Sequence, residues 1–574
     1  MKLGLGALSI VALLQAQTPA PQAPLPTFRT GVDIVELDVT VLDKDRHPVK
    51  SLTADDFTIL DRGTPQPIVA FSAVDVPAPV SYPARWMREA PIDVVSNVEN
   101  RRLVTIVMDD AYTEFNPDFM KRAKQIARNA VDELGPADLA AVIFTFMGQR
   151  QNFTSDRTRL FAAIDSYVPK LTKASGAPLA CSPALMRKCD IEALSTAAST
   201  LSTSVPGRKI AILISGGRAF SFGGPGNVDN EGSDLGKLFR ALQQANVTVY
   251  AFDARGLPVG GGFSAENQRP GPITSVGEND SLFTFAESTG GRAITNTNDP
   301  ESHVAETLRE SSSYYFIGFR TTADSNDKGL RRVEVNVNRP GLRVHTRSGY
   351  YPPGKATEPG EVINGLPSGD LPVHVTATVV AVPGQPEAEV IVATRVDPAG
   401  ASSEARTIEL STAAIDLDAK PHGILRQTIT VTPNAASGMA PDLPAHLPLA
   451  PGRYVVQVSA KSDGRAGGAA VDIDVPNFEK DPLSASGLML QRRPAPAIGD
   501  KAIENLVPFL PTTVRQFRTG DDVGVFVRIY QGGKGRIVPV RITGKVTNEK
   551  SSVTSSQEAM LDVDSRRRGR RTIR

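Results

Sequence analysis

The sequence predicts a multidomain chain, α/β in its middle and all-β on either side. Three observations carry this. At 574 residues the chain exceeds one core and implies about three to five domains. From residue 101 to residue 319, short apolar runs alternate with stretches of helical periodicity. Outside that region strand follows strand, separated by turns rich in Gly, Pro, Asn and Asp.

The elements follow in order. Lys2 precedes an apolar run from Leu3 to Leu14, then Ala16 and a Pro/Ala-rich stretch. This reads as a signal peptide over 1–17 and a linker over 18–27, with the mature chain starting near Thr18. The run is too short to span a bilayer, and no later stretch of about 20 apolar residues follows. The expected location is secreted, periplasmic or in the cell envelope. Residues 28–76 read as an N-terminal β unit, because Val32, Ile34, Val35, Leu37, Val39 and Val41 approximate period-two alternation. Residues 77–100 read as a linker.

The α/β domain is expected over 101–351. Leu103 to Met108, Leu139 to Phe146, Lys209 to Ser215 and Val247 to Asp253 are runs typical of strands buried on both faces. Ser313 to Phe319 is expected to be the last core strand. Phe119, Ala123, Ile126, Ala127, Ala130, Val131 and Leu134 stand at helical spacing, and Gly135-Pro136 stops that helix. Such alternation builds a doubly wound, mostly parallel sheet flanked by helices, with ligands at the carboxyl ends of the strands. After a linker over 352–371, residues 372–477 read as a β-sandwich of immunoglobulin-like type and 478–564 as a C-terminal β unit. The tail 565–574 is basic and reads as solvated.

Composition narrows function. Lys and Arg number 63 against 62 Asp and Glu, a net charge of +1, which gives no nucleic-acid footprint. Cys181 and Cys189 are the only cysteines, and in an exported chain the pair reads as a local disulfide. Two free thiols or half a metal site are the alternatives. The six histidines are scattered, and neither a Gly-x-Ser-x-Gly elbow after a strand nor a His-Glu-x-x-His motif occurs. A catalytic set needs a nucleophile, a base and an orienter in reach, so no enzyme, no catalytic residue and no cofactor is expected. Gly260-Gly261-Gly262 lacks the spacing of a phosphate cradle.

Several stretches resemble a known family: "LVTIVMDDAYT", "GRKIAILISGG", "VTVYAFDARGL", "SSYYFIGFR" and "VEVNVNRPGLRVHTRSGYY". Together with "VELDVTVLDKDRHPVKSLTADDFTILDRGTPQPIVAF" they cover most of residues 28–353. The chain here resembles the von Willebrand factor A-related domain of Acidobacteria-type secreted proteins. The resemblance implies an A-type fold and a job in adhesion or complex assembly. It also implies a metal-ion-dependent adhesion site, Asp-x-Ser-x-Ser after the first strand with a Thr and an Asp on later loops. This sequence keeps Asp109 and offers Thr113, but Ala111 and Gly216 replace two oxygen ligands. The site is therefore degenerate, and a divalent cation such as Mg²⁺ is not expected to be obligatory. Asp109 reads instead as a cap on the strand–helix turn, and Asp110 should point elsewhere. Asp109, Thr113, Arg218, Phe220 and Phe222 form the expected binding face, because Arg and aromatic residues anchor protein interfaces. The partner is expected to be a protein of the envelope or extracellular matrix. The alternative reading is a surface scaffold whose β modules bind while the α/β domain is a spacer; a cryptic hydrolase is a further reading.

Overall fold

A computed structural model describes residues 34–75, 94–97, 101–111, 116–135, 138–168, 188–202, 204, 209–218, 231–257, 279–321, 329–352, 366, 368–382, 384–398, 405–416, 420–432, 440–493, 500–517, 521–533, 538–547 and 553–561. The expected leader, the 18–27 linker, the basic tail, Thr113, Cys181, Phe220 and Phe222 lie outside these residues.

The first sandwich is built from both ends of the 28–351 region. Strands β1 (Ile34–Leu42), β2 (Phe57–Asp61), β3 (Thr64–Gln66) and β4 (Ile68–Asp75) come early; β12 (Ser313–Arg320), β13 (Arg331–Val337), β14 (Arg343–His345) and β15 (Gly349–Tyr350) come late. They form two four-stranded sheets, β14-β1-β12-β4 and β15-β13-β2-β3. The α/β domain is thus an insertion between β4 and β12. This corrects two expectations: the N-terminal β unit does not stand alone, and Ser313–Arg320 is not a strand of the parallel sheet. The pattern misleads because β12 is covered on both sides. Tyr315, Ile317 and Phe319 join Leu37, Val39, Ile59 and Val333 in the sandwich core. Tyr314 and Phe316 join Ala70 and Val74 in a second cluster. A strand buried on both faces reads as a continuous apolar run whichever sheet it belongs to.

The inserted domain holds β6 (Leu103–Met108), β7 (Leu139–Phe144), β8 (Gly148–Thr154), β9 (Lys209–Ser215), β10 (Val247–Asp253) and β11 (Ala293–Ile294). Their order is β11-β10-β9-β6-β7-β8. All neighbours are parallel except β7 and β8. The sequence reading missed β8, whose Gly-Gln-Arg-Gln-Asn-Phe-Thr carries no apolar pattern. Among the described residues six helices cover the sheet: α1 (Pro117–Asp132), α2 (Arg157–Asp165), α3 (Cys189–Ser202), α4 (Glu231–Gln244), α5 (Asp280–Ser288) and α6 (His303–Glu310). Their apolar stripes give two cores, one per sheet face. α1 shows why these stretches are helical. Asn116 caps it by accepting from Asp118 N and Phe119 N, Pro117 opens it, and Phe119, Ala123, Ile126, Ala127, Ala130 and Val131 are buried on one side.

The domain stands on the first sandwich by the amino ends of its strands. Asn246, just before β10, donates from Nδ2 to Asp38 Oδ2 at 3.0 Å. Gln243 exchanges two hydrogen bonds with the Tyr351 backbone, at 2.7 and 2.6 Å. Lys209, the first residue of β9, is buried here, and burial pushes its amine down to about 8 against the pull of Asp38 and Glu36.

The second sandwich pairs a five-stranded sheet with a four-stranded one. The first runs β16 (Ser368–Gly369), β23 (Arg465–Val475), β22 (Gly452–Ser462), β19 (Arg406–Asp416), β20 (Pro421–Val431); the second runs β21 (Asp442–Leu449), β18 (Ala388–Val396), β17 (Val373–Ala381), β5 (Val95–Ser96). Strand β5 lies in the stretch expected to be a linker, and it ties that stretch to β17. Arg159 on α2 reaches across to this sandwich, with its guanidinium near Asp472 and Asp474.

The C-terminal unit is not β alone. Helix α7 (Lys501–Leu506) and strands β24 (Ser484–Ala485), β25 (Met489–Arg493), β26 (Asp522–Phe526) and β27 (Ile529–Tyr530) form small two-stranded sheets, β24-β27 and β25-β26. Met489, Ile503, Val507, Phe509 and Phe526 pack on Val380 and Ile391 of the second sandwich. A hairpin, β28 (Val540–Thr547) and β29 (Val553–Leu561), follows.

Candidate functional site

Counted outward from β6, the six strands follow the doubly wound order, which reverses direction between β6 and β9. Ligands of such sheets sit outside the carboxyl ends at that switch point. Here the parallel register sets Met108 beside Ile214, so the next residues, Asp109 and Ser215, meet.

The Asp109 carboxylate is buried and held from three sides. Oδ2 accepts from Ser215 Oγ at 2.6 Å. Oδ1 accepts from Thr145 Oγ at 3.0 Å and from Ala111 N at 3.1 Å. Its backbone carbonyl accepts from Tyr167 Oη at 2.6 Å. The bond to Ala111 N holds the turn that leaves β6, while the helix that follows is capped by Asn116. Asp110 turns to the end of β7. Its Oδ1 accepts from Phe146 N at 2.6 Å and lies 3.1 Å from Thr145 Oγ, whose single proton the two carboxylates share, and Oδ2 accepts from Met147 N at 3.3 Å. Thr145 thus sits between two adjacent carboxylates. Burial pushes the Asp110 carboxyl up to about 6, and the Asp109 charge adds to this. Burial also holds the Tyr167 phenol far above its usual value.

A second layer surrounds this pair. Ala111 is buried in a small cluster with Phe146 and Cys189. Cys189 opens α3 and is disulfide-bonded; Cys181, the only other cysteine, lies outside the described residues. Asp190 follows and takes the Arg218 guanidinium through Nε and a terminal nitrogen, both at 3.1 Å. Arg218 is 5% exposed. It is a buried structural cation and not the exposed anchor expected from the sequence: its partner Asp190 lies in the first turn of α3, 28 residues earlier, which residue spacing does not reveal. Gly216 and Gly217 are buried as well, so the described floor is closed. A Cβ at Gly216 would meet Arg255 Cδ at 3.2 Å, so a side chain there would need the Arg255 side chain to give by a few tenths of an ångström.

The sequence reading found Asp109 and missed the residues that hold it. Thr145, Tyr167 and Asp190 come from distant segments and carry no local signal. Ser215 was within reach of the reading, because it ends a run expected to be a strand buried on both faces.

Of the two expected ligands the described residues include only Asp109, and on their own they do not make up a divalent-ion site; Thr113 lies outside them. A hard cation needs six or more oxygens with lone pairs free to face it. Both Asp109 oxygens instead face N–H or O–H donors, and the Ala111 methyl fills the place of a ligating hydroxyl. Among the described residues no three His, Cys, Asp or Glu side chains group as ligands.

No protein-family model matches the chain, and no curated protein does. Solved structures similar to parts of it include an aerotolerance-related membrane protein from Bacteroides fragilis, with 16% identity over 36% of this chain and 98% of that one and a TM-score of 0.24. The vWF domain of a type V pili tip protein from Porphyromonas gingivalis has 11% identity over 37% of this chain and 96% of that one, TM-score 0.25. A pilus adhesin from Lactobacillus rhamnosus GG has 8% identity over 88% of this chain and 66% of that one, TM-score 0.26. No helix among the described residues is long and apolar enough to cross a membrane.

Proposed function

We propose that this chain is an exported, non-enzymatic binding protein of the cell envelope or exterior, whose inserted α/β domain presents its strand carboxyl ends to a protein partner without an obligatory metal ion. One observation carries the reading. The amino ends of the sheet rest on the first sandwich through Lys209, Gln243 and Asn246. The Asp109–Ser215 end is therefore on the far side, six or seven residues along each strand, or about 20 Å. A doubly wound domain held this way turns its usual ligand end outward. The von Willebrand factor A resemblance of the sequence agrees with this use.

Catalysis has little support. Ser215 donates to Asp109 and accepts from Gly217 N, with no imidazole in that arrangement. Four of the six histidines bond carboxylates elsewhere: His303 with Glu306, His374 with Asp397, His422 with Asp416 and His446 with Glu389. His47 lies beside Asp43 and His345 is on β14, both in the first sandwich.

The full-length chain, immobilised and exposed to proteins of the envelope and medium of its own cells, tests this. The expected result is a partner retained equally in Mg²⁺ and in EDTA and weakened by Leu257→Glu, which alters a residue 49% exposed just past β10. A partner that EDTA releases would overturn the metal-free reading.

A further inference from the structure

Two parts of the molecule are incomplete in complementary ways. The first is the edge of the second sandwich. β20 is the outer strand of its sheet and, among the described residues, pairs with β19 alone. It is 11 residues long, whereas β16 at the opposite edge has two. Edge strands of that length are normally blunted by charges, prolines or bulges, because their free N–H and C=O groups template another strand. From Gly423 to Val431 the strand has one charge, Arg426, and no proline; the only register shift lies at its start, near Pro421. Ile424 is 54% exposed, and Ile424, Thr428, Ile429, Thr430 and Val431 are β-branched.

The second part is the C-terminal unit. β28 and β29 pair with each other and, among the described residues, with no other strand. A two-stranded hairpin is marginal alone, and each of these strands keeps an open outer edge. Exposed apolar side chains also gather in this unit. Leu483, Leu488, Val523, Val525, Val538 and Met560 are six of the twelve large exposed hydrophobic residues among those described.

We propose that the β28–β29 hairpin of one molecule adds to the β20 edge of a second copy of this chain. The hairpin brings strands of eight and nine residues to an edge of 11, so either strand fits within the length of that edge. Main-chain pairing of this kind supplies affinity, and the side chains on alternate positions supply choice of partner. The chain's own hairpin does not occupy its own β20, so each molecule keeps one donor and one acceptor. The two surfaces differ, so the contact is head to tail and propagates into a linear assembly. The α/β face takes no part, and this inference stands apart from the function proposed for it.

Sedimentation velocity of the full chain across the micromolar range is the test. Wild type forms species that grow with concentration. Ile424→Lys with Thr428→Lys charges two exposed positions of β20; Thr543→Pro breaks a hairpin that supports no other sheet. Each variant weakens self-association about tenfold or more; the lysine variants keep the circular dichroism of wild type, and Thr543→Pro loses no more than the β signal of the hairpin. Thr430→Lys, also exposed, serves as an independent edge block. Mixed together, the edge-blocked and hairpin-broken chains form a dimer and nothing larger, because one good hairpin meets one good edge. A wild-type chain that stays monomeric, a folded variant that still polymerises, or a mixture that stays monomeric would each overturn the proposal.

Discussion

Ser215 Oγ donates to Asp109 Oδ2 over 2.6 Å, and this bond closes the gap between the two strands where the sheet order reverses. The same hydroxyl accepts from Gly217 N at 3.0 Å, so it also fixes the turn that leaves β9. Ser215→Ala should strip one donor from a buried carboxylate and one acceptor from a buried amide. The expected cost is about 1–3 kcal/mol. Hydrogen exchange of the β6 and β9 amides measures it locally; unchanged protection would contradict the structural role.

Asp110 gives a pH dependence with a definite sign. Its folded value, about 6, lies above the ordinary 3.8. The fold therefore favours the protonated carboxyl. That contribution is full below about 3.8 and is lost as pH rises through about 6, with a span on the order of 3 kcal/mol. Asp110→Asn removes the titration. The stability of the variant relative to wild type should rise from about pH 4 to about pH 7. A difference that stays flat, or falls, would count against the buried environment described.

Arg159 joins the α/β domain to the second sandwich. It stands 3.2 Å from Asp156, 2.5 Å from Asp474 and 3.8 Å from Asp472, and its side chain is 9% exposed. Burial already pushes the Asp472 carboxyl up. Arg159→Leu would leave three carboxylates without this cation. Faster exchange in β8, α2 and β23 is expected, with a cost of about 1–3 kcal/mol. The expected rescue is partial on lowering the pH, as Asp472 protonates. Unaltered exchange at the junction would show that the contact is incidental.

Cys189 is buried against Ala111 and Phe146, so its bridge bears on the site floor. The pairing with Cys181 is expected to contribute about 2–3 kcal/mol by closing a short loop. Intact-mass analysis should show a gain of two hydrogens on reduction and no alkylation before it. Two thiols that alkylate in the native protein would contradict the pairing.

Much of the α/β domain was legible in the sequence because its strands are apolar throughout and its helices carry one-sided stripes. Lys209–Ser215 and Val247–Asp253 are read directly, and both are buried strands. The insertion was not legible. β12 and β1 are separated by most of the domain, and nothing local in Ser-Tyr-Tyr-Phe-Ile-Gly-Phe-Arg says that Ile317 pairs with Leu37 rather than with a parallel neighbour. β8 was missed because an edge strand turned to solvent needs no apolar pattern. At the site, Asp109 was visible as a strand-end residue. Its partners were hidden because hydrogen bonds from Thr145 and Tyr167 depend on tertiary placement. Arg218 misled for a related reason: an arginine just past a strand looks exposed until Asp190 is found beside it.

The central claim is that the face above Asp109 works without a divalent ion, and calorimetric titration of the full chain with Mg²⁺ and with Mn²⁺ tests it most directly. Asp109 already accepts from Ser215, Thr145 and Ala111, so an ion would compete with those donors for its oxygens. The predicted result is no saturable binding tighter than about 100 µM, or about −5.5 kcal/mol. Tighter binding that Asp109→Ala abolishes would contradict it.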